Sequence, residues 1–371
     1  MKLKSIKDAS VSGKKVLVRV DFNIPIKDGE VADDFRIRKV LPTIEYLEAN
    51  GAKTLLLSHI ESTDTLLPVF EYLSPRFSIK FAKSLEEAES LLSSCDKGDF
   101  VLLENIRKFS GEKENAEAFS KDLADLGDIY INEAFSVSHR PHASIVGIPK
   151  FLPGYVGFLF ESEVENLSKA FKPIHPFLFI LGGAKFETKM PLVTKFLKKA
   201  DKIFVGGALA NDIYKAKGYE IGVSLVSEKE IDLSIVIKDK KIVIPPDVIV
   251  FDGKESAEKK ADEVGLTEKI VDNGPESVSV LKKLADEAKF ILWNGPLGNY
   301  ENGFGKGTED LVKIVSESKA VTIVGGGDTV AEISKLGLED KFSFVSTGGG
   351  AMLDFLANET LPGIKALENT L

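Results

Sequence analysis

Short apolar runs recur along the chain, separated by polar stretches with helical spacing. In the first half KVLVRVDF (Lys15–Phe22), AKTLLLSH (Ala52–His59), DFVLLEN (Asp99–Asn105) and DIYINEAF (Asp128–Phe135) predict strands, because buried parallel strands read as near-continuous apolar runs. Helices are predicted between them, from about Arg36 to Ala49 and over Gly111–Gly127, with a turn at Lys27-Asp28-Gly29. This alternation predicts a parallel sheet with right-handed crossovers. The style breaks at Pro141–Pro153. Gly157–Pro173 then shows helical periodicity with acids early and lysines late, the polarity a helix dipole favours, and reads as a rigid connector. Beyond it PFLFILGG, KIFVGGAL, KIVIPPD, KFILWNGP, AVTIVGGG and FSFVSTGGG predict a second sheet.

The pattern as a whole predicts an α/β protein of two doubly wound domains with mostly parallel sheets, joined by a connector helix. The first domain is expected over 1–156, the connector over 157–172 and the second domain over 173–350, with a C-terminal segment, 351–371, packing back toward the first domain.

Composition narrows the class without naming a reaction. The 371 residues carry 48 Lys+Arg against 57 Asp+Glu, a net charge of −9, which argues against a nucleic-acid grip. With 43% hydrophobic and 28% charged residues the chain is globular, and its length suits two domains. Cys95 is the sole cysteine, so no intrachain disulfide or Cys-based zinc site is possible. No apolar run reaches the roughly 18–20 residues of a membrane span, and Met1–Lys15 has no signal core. A cytoplasmic protein without nucleic-acid or membrane partners is expected.

Gly182-Gly183, Gly206-Gly207, Gly325-Gly326-Gly327 and Gly348-Gly349-Gly350 all fall at or just past the end of an apolar run, with a helical segment following. Open α/β sheets bind ligands at that edge, where glycine permits close approach and helix N-termini attract anions. Any one cluster is read equally well as a glycine closing a tight turn. Four together, with Lys185 and Asp328 beside two of them, point to a nucleotide site. GFGKGT (Gly303–Thr308) resembles a Walker A loop, but Gly307 stands where Ser or Thr should follow the lysine. No GxGxxG opens the first strand–helix unit either.

The first half offers the opposite chemistry. Arg19, Arg36, Arg107 and Arg140, with His59, His139 and His142, all lie at strand ends or in the loops after them. Arginine's planar fork holds phosphate and carboxylate in two-point contacts, so this cluster suits a small polyanion. Singly, each arginine is read more readily as an ion-pair partner and each histidine as structural. Asp21 and Asn23, just past the first strand, suit either hydroxyl groups of a substrate or a turn held by its own side chains. Glu301 in NYENG suits a ribose or a solvated loop.

Eight ordered blocks make the pattern specific: VLVRVDFNIPI (Val16–Ile26), DDFRI (Asp33–Ile37), LLENIR (Leu102–Arg107), NEAFSVSHRPHASIVGI (Asn132–Ile148), LGGAKFETK (Leu181–Lys189), WNGPLGNYE (Trp293–Glu301), VGGGDT (Val324–Thr329) and STGGGAMLDFL…LPGIKAL (Ser346–Leu367). Together they resemble the phosphoglycerate kinases over nearly the whole chain. The resemblance implies a first domain for 3-phosphoglycerate or 1,3-bisphosphoglycerate and a second for ADP or ATP with Mg2+, in a monomer catalysing reversible phosphoryl transfer. It places Asp21 and Asn23 on the glycerate hydroxyl, and Arg36, His59, Arg107 and Arg140 on the carboxylate and phosphate, supported by Arg19, His139 and His142. Lys185 and Lys189 match the family's paired lysines. Lys185, Gly206, Gly207, Asn294, Pro296, Glu301, Gly326, Gly327, Asp328 and Thr329 fall on the nucleotide side, with Asp328 serving the metal. Arg36, Lys185 and Lys189 are the expected catalytic residues. Closure is expected about Gly157–Lys172 and the tail, Leu361–Leu371.

The chain also departs from that family. After Ser58-His59 the family usually reads Leu-Gly-Arg-Pro; here Ile60-Glu61-Ser62-Thr63 removes a substrate-facing arginine and brings in an acid. The segment Ser62–Lys97 is shorter than usual, and Lys108 is inserted after Arg107. Thr188 replaces an acid and Ala208 a glycine. A nucleotide-binding homologue with weakened or lost kinase activity is therefore the alternative. A nicotinamide-dependent dehydrogenase has fold analogy alone.

Overall fold

The computed structural model describes residues 3–229 and 231–368. These form two compact units, one from the described residues of Met1–Glu165 and Asn358–Leu371, the other from Asn166–Ala357. Each is built on an all-parallel six-stranded sheet.

In the first unit the strand order is Ile79–Ala82, Phe100–Leu103, Lys53–Leu57, Lys15–Arg19, Ile129–Asn132 and Gly154–Val156. The chain starts in the middle, extends the sheet one way, then crosses over and extends it the other way. The reversal falls between Lys15–Arg19 and Ile129–Asn132, paired from Val16 opposite Ile129 to Arg19 opposite Asn132. Helix Phe35–Ala49 turns Ile37, Val40, Ile44 and Leu47 into the core. At the Lys27-Asp28-Gly29 turn, Asp28 and Gly29 both have positive φ (53° and 84°), the backbone a tight hairpin requires.

In the second unit the order is Ile242–Val243, Lys202–Val205, Phe177–Leu181, Phe290–Asn294, Val321–Gly325 and Phe344–Val345. Here the reversal lies between Phe177–Leu181 and Phe290–Asn294. Phe177 packs edge-on against both Phe196 and Phe290, filling the layer under the sheet.

Two predicted elements differ. KIVIPPD is not one strand: Ile242–Val243 joins the parallel sheet, while Asp247–Phe251 pairs antiparallel with Ser256–Lys260 and Lys269–Asn273. Pro245-Pro246 lack the N–H groups a ladder needs, so the run divides there. The helix expected over Gly111–Gly127 is only Glu117–Ala124. Gly111 (φ 93°) and Asn115 (φ 50°) turn the backbone left-handed before it, and Glu112 is fully buried, accepting the Ser144 N–H and hydroxyl.

The connector is helical over Phe158–Ser168, followed by a 3-10 turn at Lys169–Phe171. Buried Glu133 caps its start, accepting from the Thr43 hydroxyl and the N–H groups of Leu159 (3.0 Å) and Phe160 (3.1 Å). A Cβ on Gly157 would lie 2.2 Å from that carboxylate, which its hydrogen bonds prevent from yielding. Gly157→Ala is expected to cost about 2 kcal/mol of stability by overpacking, read as a lower urea midpoint with unchanged slope. In the C-terminal segment, helix Pro362–Glu368 belongs to the first unit, where the Gly363 N–H donates to the Ser138 carbonyl (2.9 Å). Residues 369–371 of that segment lie outside the described residues. No described helix is long and apolar enough to cross a membrane.

Candidate active site

At the carboxyl edge of the first sheet, Arg19 ends its strand with only 1% of its surface exposed. Its Nε donates to Ser144 Oγ (2.9 Å) and its Nη2 lies 3.2 Å from His59 Nδ1. A guanidinium only donates, so Nδ1 accepts and the His59 proton sits on Nε2. Burial and the Arg19 charge hold His59 down at about 3, so it stays neutral at physiological pH.

Asp21, also buried, accepts from Arg36 Nη1 (2.6 Å), the Ser136 hydroxyl and the Asn23 N–H (3.1 Å). Burial alone would raise its carboxyl, but Arg36, His59 and these hydrogen bonds outweigh it and hold the group at about 2. Arg36 also donates to the Asn23 carbonyl (3.2 Å). Arg107 donates through Nη1 to Glu61, while its Nε and Nη2 are buried without partners. Glu61 reaches Asn23 as well. Arg140 is half-buried, and its charge acts on His142, which burial and the cations Arg107, Arg140, Arg19 and Lys113 hold down at about 4. The structure thus gathers Asp21, Asn23, Arg36, His59 and Arg107 into one linked set, with Arg140 beside it through His142. His59 enters that set as a buried group against Arg19. Sequence reasoning missed Ser136, the Glu61 contact and the Arg19–Ser144–Glu112 chain; no local motif marks them.

At the reversal of the second sheet, three strand-end turns pack closely. The Gly182 N–H donates to the Asn294 carbonyl (2.9 Å) and that of Gly183 to the Pro296 carbonyl (2.7 Å). A Cβ on Gly207, which has φ 61°, would sit 2.7 Å from the Gly183 nitrogen, so this approach needs glycine. Lys185 follows at φ 64°, exposed at the start of helix Phe186–Phe196. Lys189 on that helix is buried, and its ammonium donates to the Gly182 carbonyl (2.5 Å). Burial pulls Lys189 down to about 8, with Asp328 acting in the opposite sense.

Beside these turns lies a cavity of about 350 Å³, with Gly183, Gly207, Pro296, Glu301 and Asp328 in its wall. Lys185, Lys189, Gly206, Asn294, Gly326, Gly327 and Thr329 do not line it. Gly206 packs against Leu297, and Gly326 (φ 106°) against Asn294 and the Gly295 nitrogen. Gly327 opens helix Gly327–Leu336 with free space about it, and the buried Thr329 hydroxyl has no partner. The wall also contains Asn211, Tyr214, Leu225, Asp272 and Asn273, which no motif had marked. Burial raises Asp272 to about 6 despite N–H donors from Gly307 and Asn273. No group of three or more His, Cys, Asp or Glu suited to a metal ion occurs among the described residues. Three carboxylates line the cavity, Asp272, Glu301 and the exposed Asp328, and Mg2+ is commonly held by one or two carboxylates together with substrate phosphates.

The family model for phosphoglycerate kinase matches residues 6–359. The chain is 42% identical to the phosphoglycerate kinase of Coprothermobacter proteolyticus, covering 99% of each chain, and 42% identical to that of Dictyoglomus turgidum, covering 98% of each. Among solved structures, phosphoglycerate kinase from Coxiella burnetii superposes with a TM-score of 0.84 at 35% identity, and that from Pyrococcus horikoshii OT3 with 0.87 at 30%; each covers 99% of this chain and 98% of the other. Two parallel α/β units and these relatives define a kinase. The chain belongs to the phosphoglycerate kinase family.

Proposed function

We propose that the protein transfers a phosphoryl group reversibly between 1,3-bisphosphoglycerate and ADP, giving 3-phosphoglycerate and ATP, with Mg2+, as a step of glycolysis and gluconeogenesis. The observation that carries this reading is the cluster of cations at the first sheet's edge, where two buried Arg107 nitrogens lack partners and burial together with the arginines keeps two histidines neutral. Such a site calls for a polyanion.

Asp21 and Asn23 bind the glycerate hydroxyl in this reading, while Arg36, His59, Arg107 and Arg140 serve the carboxylate and phosphate. Lys185, Gly206, Gly207, Asn294, Pro296, Glu301, Gly326, Gly327, Asp328 and Thr329 serve the nucleotide. Lys185, Lys189 and Arg36 stabilise charge on the phosphoryl group in flight. Asp328 holds Mg2+, which supplies charge neutralisation on the nucleotide phosphates when bound. A β-phosphate oxygen of ADP attacks the acyl phosphate, a new P–O bond forms, and the bond to the acyl oxygen breaks to leave a carboxylate. In both directions the nucleophile is already an anion, so the chemistry needs positioning and cations and no protein base. Neutral His59 and His142 fit that requirement. A cytoplasmic monomer divided at 156/157 and 172/173, hinged at 157–172 and 361–371, belongs to the same proposal.

A coupled assay with 3-phosphoglycerate and Mg-ATP tests it; absence of turnover in the purified protein rejects it. The second reading, a nucleotide-binding homologue with weakened or lost activity, is favoured by the Glu61–Arg107 contact. It predicts ADP binding without productive 3-phosphoglycerate turnover. A bound anion also offsets the cations around His142. Saturating 3-phosphoglycerate is therefore expected to raise His142 from about 4, with burial, the leading cause, still holding it below the ordinary histidine value, followed by imidazole NMR shifts against pH. An unmoved titration places the substrate elsewhere.

A further inference from the structure

Glu61 stands on the cationic edge as an acid among groups otherwise suited to anions. One carboxylate oxygen accepts from Arg107 Nη1 and the other from Asn23 Nδ2 (3.3 Å), while the Glu61 N–H donates to Asn23 Oδ1 (2.9 Å). The two partners differ in burial: the Glu61 side chain is 55% exposed and that of Arg107 only 11%. The acid is thus the movable member of the pair, lying over a cation fixed in the protein. Behind it, Arg107 Nε and Nη2 have no partner. Neighbouring Ser62 is tied down by its hydroxyl, which donates to the Ile24 carbonyl (2.6 Å).

We propose that Glu61 is a resident carboxylate that the anionic substrate must displace from Arg107 and Asn23, so that it sets the affinity threshold of this site. The inference rests on the phosphoglycerate reading of the cationic edge. The pair runs through one Arg107 nitrogen to an acid that is more than half exposed, so a ligand that offers Arg107 two oxygens at once displaces it. A doubly charged phosphate group competes well on these terms. A lone carboxylate, no better than Glu61 itself, competes poorly. Displacing Glu61 costs every such anion the same free energy, so it lowers affinity for all of them by one factor and leaves measurably bound only those, such as a phosphate group, whose own contacts exceed that cost.

The test is calorimetric titration of 3-phosphoglycerate, inorganic phosphate and glycerate into the wild-type protein, Glu61→Gln, Glu61→Ala and Asp64→Asn, with steady-state kinetics alongside. Asp64 is an exposed acid on the same loop and controls for loss of charge alone. Both Glu61 variants are expected to bind 3-phosphoglycerate and phosphate about five- to tenfold more tightly and to gain measurable glycerate affinity. KM for 3-phosphoglycerate should fall in parallel, with KM for Mg-ATP within twofold of wild type. Unchanged or weaker anion binding in both variants overturns the proposal and makes Glu61 a positioning group for Arg107. An equal gain in Asp64→Asn overturns it too, leaving only long-range charge. A wild-type protein without turnover rejects the kinase reading, whereas the phosphate titrations decide the role of Glu61 in either case.

Discussion

Lys185→Ala is expected to lower turnover at least roughly a hundredfold, about 3 kcal/mol of transition-state stabilisation, by analogy with the loss of one preorganised electrostatic donor. The residue occupies a left-handed backbone conformation, φ 64°, directly after the Gly182-Gly183 turn. Non-glycine residues are uncommon there, and such strain concentrates at functional sites. Its side chain is exposed and the helix after it is anchored independently by buried Phe186, Leu192, Val193 and Phe196. The substitution should therefore leave the unfolding midpoint unchanged while kcat collapses. If charge stabilisation in flight is its role, kcat and kcat/KM fall together. A variant that turns over at the wild-type rate removes Lys185 from the reaction.

Arg36→Ala is expected to damage activity and stability at once. In activity the loss should again be roughly a hundredfold, on the same electrostatic grounds. In stability, the guanidinium is the leading charge opposing burial of the Asp21 carboxyl, which it holds together with Ser136 and the Asn23 N–H. Without it a buried carboxylate loses its countercharge, at a cost of about 2 kcal/mol once the partial exposure of Arg36 is allowed for. The pH dependence has a definite sign. The folded value of Asp21, about 2, lies below its ordinary value of 3.8. Its contribution is therefore present above 3.8 and lost as pH falls through about 2. The stability gap between wild type and Arg36→Ala should shrink over that window, because protonation spares the variant its unpaired charge. Denaturant midpoints at pH 7 and in acid read this directly. A gap that stays constant with pH shows that the pair is not what stabilises the edge. Arg36→Lys keeps the charge but not the planar fork and should restore stability more than turnover.

The placement of candidate chemistry at strand ends was legible because it depends on local pattern. Arg19, Asp21 and His59 each follow or end an apolar run, and an apolar run long enough to be a strand puts its last residues at the sheet edge. The glycine turns were legible for the same reason, but their division of labour was not. Gly207 is required by the approach of the Gly183 and Pro296 backbones, whereas Gly327 faces open space. Both look alike in sequence. Asn211 and Asn273 reach the cavity wall from a helix and from the antiparallel sheet, neither of which carried a motif.

Residue order alone therefore determined which segments leave water, hence two parallel α/β sheets, and which polar side chains stand at their carboxyl edges. Tertiary structure alone decided the pairings among them. Asp21 meets Ser136 across 115 residues, Arg19 meets Ser144 across 125, and Glu61 covers Arg107 across 46. The physical reason is range: burial is a property of each side chain and its near neighbours, so it shows as a local period. A hydrogen bond or ion pair is a property of distance and angle between two groups, and those are set only when the whole sheet has assembled.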